Sequence, residues 1–148
     1  MNKHVLIQVS GLQAYDEHGE GTPVEMIVPG EYYYRNGSHY LRYEEVLDDS
    51  GKPTINYVKV SQSALEVRKK GLVNVHMVFE KGKKNMTCYT TPYGTIQMGI
   101  AATGVTVDEK KESIRAHVDY SLEMNDMHVA DCSLTLRAES HPTALISD

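Results

Sequence analysis

The sequence has no tryptophan, a single phenylalanine and only two cysteines, and none of its apolar runs approaches the length of a membrane span. Each scarcity excludes something. Cys88 and Cys132 stand far apart without CxxC spacing, so they read as reduced thiols rather than a disulfide framework or a structural zinc site. The first apolar run, Val5-Leu6-Ile7, is too short for the core of a secretion signal, and a cytoplasmic location is expected. Cations are in deficit: Lys and Arg number 15 against 20 Asp and Glu, a formal net charge of -5. Long-range attraction to nucleic acid or to an anionic membrane is therefore not expected. The seven histidines show neither HxH nor HExxH spacing, so no metal or cofactor is expected. No GxSxG motif, glycine-rich phosphate loop or dinucleotide fingerprint occurs, which makes a non-enzymatic protein the working reading.

What the chain does contain is alternation. Its 148 residues suit one globular domain, with 1–139 expected to form it and 140–148 a frayed tail. Val5, Ile7 and Val9 alternate with other residues, as do Val24, Met26 and Val28, the period of a strand with one buried face. Asn36-Gly37 marks a hairpin turn, and 48–53 separates two further strands. Residues 61–71 are ambiguous, since Ser63 and Glu66 have capping-box spacing and Gly71 could end a helix. Leu65 and Val67 alternate, however, and both neighbours are strands, so a strand is expected. The whole reads as an all-β chain, a single antiparallel barrel of about eight to ten strands, since closure removes exposed sheet edges.

Partners across an antiparallel pair share a face, so turn lengths can be tested by parity. Val73, Val75, Met77 and Phe79 form one inward set and Met86 with Cys88 the next. A four-residue loop over 81–84 would place Cys88 opposite Met77 and Tyr89 opposite His76. Ile114 to Leu122 and Ala130 to Leu136 both face inward at even numbers, which demands an odd loop around Asn125-Asp126. Inward parity flips near Thr103-Gly104, where a glycine bulge is expected.

The segment Tyr89-Thr90-Thr91-Pro92-Tyr93-Gly94, preceded by Gly71 and Met77-Val78-Phe79 and with Tyr43-Glu44-Glu45 upstream, resembles the YwiB-like family of uncharacterised bacterial β-barrel proteins. The likeness also takes in Gly30-Glu31-Tyr32-Tyr33-Tyr34, Thr54 to Val60 and a closing hairpin. It implies a lipocalin-like antiparallel barrel and brings no activity, ligand or catalytic residue with it. It further implies an arginine near the glycine matching Gly71, a place that either Arg68 or Lys69 takes here.

Ten tyrosines spread over several strands are the most suggestive feature. A barrel gathers some of them around its interior or mouth, where phenols suit a small apolar or amphipathic ligand. One member of Glu44-Glu45 must lean inward, and Glu45 shares its face with Tyr43. A buried carboxylate needs a cation or hydrogen-bond donors. The lysines of Arg68-Lys69-Lys70 and of 81–84 are expected to be solvated, at opposite barrel ends. The candidate wall or mouth residues are Tyr43, Glu45, Met77, Tyr89, Thr91, Tyr93 and Tyr120, with Thr91 and Tyr93 chosen because Pro92 fixes the chain and Gly94 admits a close neighbour. The rival reading is an interaction module whose outer face docks a protein or a second copy, making a homodimer.

Overall fold

A computed structural model of the chain describes residues 1, 3–15, 21–46, 49 and 51–140. The alternating segments become ten strands: β1 (His4–Tyr15), β2 (Gly21–Arg35), β3 (Ser38–Val46), β4 (Pro53–Val60), β5 (Ala64–Lys70), β6 (Val75–Glu80), β7 (Lys84–Thr91), β8 (Gly94–Glu109), β9 (Ser113–Met124) and β10 (Met127–Ser140). The ambiguous stretch before Gly71 is thus strand β5. Successive strands other than β6 and β7 pair antiparallel and β1 also pairs with β10, so the sheet order is β6-β5-β4-β3-β2-β1-β10-β9-β8-β7. The two ends of that order face each other without a ladder. They meet through one bridge, Asn74 to Thr90, with both backbone hydrogen bonds at 2.9 Å, and the Asn85 side-chain amide donates to the Val78 carbonyl at 3.1 Å. The result is a nearly closed antiparallel barrel, as expected. Of the expected tail, all but Ser140 lies outside the described residues.

Apolar side chains pack the barrel's middle, among them Phe79, Ile7, Leu65, Ile100, Ile114 and Leu136, each less than 2% exposed. Burying each such side chain contributes roughly 1.5–3 kcal/mol, so this packed zone is the main stabilising element. The expected bulge is present where the β8–β9 register shifts between Ala102 and Gly104. Cys132 pairs with Tyr120 and Leu134 with Val118, which is the even-to-even register expected of β9 and β10.

Two readings are corrected. The β9–β10 loop is a two-residue turn, Asn125-Asp126, with φ of 51° and 65°, and even parity is restored by a register shift between His128 and Ala130. A bulge supplies the odd residue that a longer loop was expected to supply. The second correction concerns β7, where Met86 and Cys88 face outward and Asn85, Thr87, Tyr89 and Thr91 turn inward. The turn here is tighter than four residues, with the Lys83 N–H bonded to the Glu80 carbonyl at 3.0 Å, and no ladder forms to enforce the expected pairing.

Positive φ at both central residues defines a type I′ turn, in which glycine is favoured at the second position. Asp126→Gly is expected to stabilise the protein by about 0.5 kcal/mol, because relief of left-handed strain of roughly 1 kcal/mol is partly offset by glycine's freedom in the unfolded chain. Asp126→Val should destabilise by about 1–3 kcal/mol. Urea titration of both variants checks the opposite signs.

Candidate functional site

At one end of the barrel the inner rows of β3, β4 and β5 turn from apolar to polar. The register places Tyr43, Asn56 and Lys69 on one rung, with Glu45 and Thr54 on the next. The Lys69 ammonium donates to Glu45 Oε1 at 2.6 Å and to Asn56 Oδ1 at 2.8 Å, and Asn56 Nδ2 donates to Glu45 Oε1 at 2.9 Å. Of the two positions for the family arginine, Lys69 points inward; Arg68 points outward to His76. Lys69 is thus not the solvated lysine expected: its side chain is 16% exposed and that of Glu45 7%. Alternation along β5 forces this, because Leu65 and Val67 lie on the same inner row.

Thr54 is fully buried, and its hydroxyl has no hydrogen-bond partner among the described residues. It lies beneath Gly71, whose φ is +146°; a Cβ there would stand 2.9 Å from the Thr54 Cα and 2.8 Å from the Pro53 carbonyl oxygen. Only glycine fits this approach. Above it opens a cleft of about 450 Å³, walled by Lys52 and Pro53 on one side, Gly71, Leu72 and Asn74 on another, and Thr90, Thr91 and Pro92 on the third.

Burial, reinforced by the Glu45 carboxylate, pushes the Tyr43 phenol far above its ordinary value of 10.0. The same two causes raise half-buried Tyr89, which places it within the field of Glu45. Both phenols stay neutral and serve as donors or packing surfaces rather than bases. The sequence candidates Tyr43, Glu45, Tyr89 and Thr91 therefore gather at this mouth. Met77 and Tyr120 join the apolar packing deeper in, where Tyr120 meets Phe79 edge-on at 4.9 Å. Tyr93 sits at the tip of the β7–β8 turn, 99% exposed, and Gly94 has open space around it, so neither joins the group.

The opposite end carries a second polar group that sequence reading did not single out. Tyr32 and His39 Nδ1 are 2.8 Å apart, and His39 Nε2 is 2.9 Å from Glu109 Oε1. Burial, then Tyr34 and Glu109, raises the Tyr32 phenol, so its proton is retained. His39 is buried on the inner row with Leu41, Tyr43 and Glu45. The signal was there: counting back by twos from Glu45 reaches His39.

Removing one partner of a buried ion pair strands the other. Lys69→Met is expected to lower stability by about 3 kcal/mol, and Glu45→Gln combined with it should recover most of that loss in urea unfolding. Alkaline pH tests the phenols. Below pH 10.0 Tyr43 is neutral folded or unfolded; above it the unfolded chain ionises first, so stability falls as pH rises toward the folded value. The slope is at most about 1.4 kcal/mol per pH unit for one tyrosine. Tyr43→Phe should flatten it, as read by unfolding curves on either side of pH 10.0.

Comparison with known proteins agrees with this architecture. The family described as a domain of unknown function, DUF1934, matches residues 7–136. The uncharacterised β-barrel protein YwiB of Bacillus subtilis (strain 168) is 24% identical over 128 residues, covering 85% of this chain and 89% of that protein. The crystal structure of the Bacillus subtilis YwiB protein superposes with a TM-score of 0.77 at 22% identity, over 94% of this chain and 92% of that one, and so bears on the fold. With the match extending over most of its length and the barrel recurring in a solved relative, the chain belongs to the DUF1934, YwiB-like family of β-barrel proteins.

Proposed function

We propose that the protein is a non-enzymatic, lipocalin-like carrier or sensor that binds a small amphipathic molecule at the polar mouth. The reading rests on one observation: the Lys69, Glu45 and Asn56 cluster and the orphan Thr54 hydroxyl lie at the barrel end where a 450 Å³ cleft opens. That volume is within the roughly 300–1,000 Å³ of small-molecule sites. Because the ammonium and carboxylate cancel behind the cleft, the ligand's head is neutral and polar, an amide or hydroxyl group meeting Asn74, Thr90 or Thr91 on its wall. Its apolar part rests on Leu72, Pro53 and Pro92. Seating the ligand at the mouth leaves the packed middle intact, and neither nucleic acid nor membrane enters this reading.

Native mass spectrometry of the purified protein, followed by challenge with medium-chain fatty amides and alcohols, tests the proposal. One ligand per chain is expected, with binding lost in Leu72→Trp, which crowds the cleft, and retained in Tyr93→Ala. A protein that stays free of ligand throughout the panel, or binds equally well in Leu72→Trp, refutes it.

A further inference from the structure

The outward side chains of β2 to β5 form an ordered polar surface that the mouth does not use. One rung runs Tyr33, Tyr40, Lys59, Glu66 and the next Glu31, Arg42, Tyr57, Arg68. Tyr33 and Tyr40 stack at 4.7 Å with planes 6° apart, and Lys59 lies 6.0 Å from the Tyr40 ring centre. Tyr33 is 57% exposed and Tyr57 44%. The ion pairs on this face are loose, 3.6 Å for Arg42 with Glu31 and 3.9 Å for Lys59 with Glu66, so both can exchange partners.

We infer that this face is the contact between two copies of the chain, related by a two-fold axis running along the strands between β3 and β4. Such an axis sets β2 over the partner's β5 and β3 over the partner's β4. Glu31 then meets the partner's Arg68, Arg42 the ring of the partner's Tyr57, Tyr40 the ammonium of the partner's Lys59, and the Tyr33 hydroxyl the carboxylate of the partner's Glu66. Every one of these contacts is attractive and occurs twice, as an isologous interface requires. The barrel is convex here, and the long side chains fall on the flanks, where the gap between two cylinders widens. Overall charge points the same way. Two chains of formal charge -5 repel, so they can meet only where carboxylates do not predominate. These two rungs carry three cations, Arg42, Lys59 and Arg68, against the carboxylates of Glu31 and Glu66. Tyrosine and arginine are also the side chains that carry most of the energy in protein contacts.

Sedimentation velocity over a range of concentrations reads the association directly. Wild type is expected to dimerise. Glu31→Arg places like charges together twice across the axis, as does Arg68→Glu, and each alone should weaken the dimer by about tenfold or more. Mixing the two variants pairs opposite charges at both positions and should restore a heterodimer, a result that loss of folding cannot mimic. A wild type that stays monomeric, single variants that dimerise like wild type, or a mixture that remains monomeric would each overturn the inference. Capture of an unrelated protein by a monomeric wild type would count against it as well.

Discussion

Residues facing one another across an antiparallel pair point to the same side, and a sheet that closes on itself must obey this at every seam. A single miscounted residue turns a strand inside out. The chain meets the condition with local register shifts, on β1 between Leu12 and Ala14, on β8 between Ala102 and Gly104, and on β10 between His128 and Ala130. Between β6 and β7 it does not reconcile the count. Counting from the turn, where Lys83 bonds Glu80, sets Asn74 against Tyr89; the bridge sets it against Thr90. The ladder is absent there, and an asparagine side chain spans the gap.

That seam is also where the sequence misleads. On β9 and β10 the inward residues are mostly apolar and the outward ones mostly polar, so hydropathy and geometry agree along most of the pair. On β7 the outward row holds Met86 and Cys88, apolar by composition, and the inward row holds Asn85, Thr87, Tyr89 and Thr91. Hydropathy then selects the wrong face, because the inner wall near a barrel end touches polar neighbours as well as apolar ones. Glu45 was legible because alternation on β3 leaves one of two adjacent glutamates inside. Lys69 was not, because a run of three basic residues before a glycine looks like a solvated turn. Its inward position follows only once β5 is a strand to its last residue.

The inner row of β3 condenses the design into four residues: His39, Leu41, Tyr43 and Glu45, all buried. Its two polar members, six positions apart, are separated by about 20 Å at the usual strand rise. Each is completed from elsewhere, His39 by Glu109 of β8, and Glu45 by Asn56 and Lys69 of β4 and β5. A carboxylate or imidazole near a barrel end can be desolvated without isolation, since donors from several strands converge there and water lies close. The middle offers neither, and it is filled with aliphatic side chains and Phe79.

Stability alone does not account for the polar mouth. Desolvating an ammonium and a carboxylate costs several kcal/mol each, and apolar side chains of similar volume commonly replace such a pair without loss. The Thr54 hydroxyl adds a buried donor with no acceptor among the described residues, a deficit of about 1–3 kcal/mol that valine in its place would avoid. Gly71 adds a third departure, since its φ of +146° brings the backbone down onto Thr54 with no room for a Cβ between them. A buried ion pair, a hydroxyl unmatched among the described residues and a left-handed glycine all lie at the same barrel end. That coincidence beside the cleft, and not the barrel shape itself, is why a ligand is to be sought at the mouth, since the middle is packed with apolar side chains among the described residues.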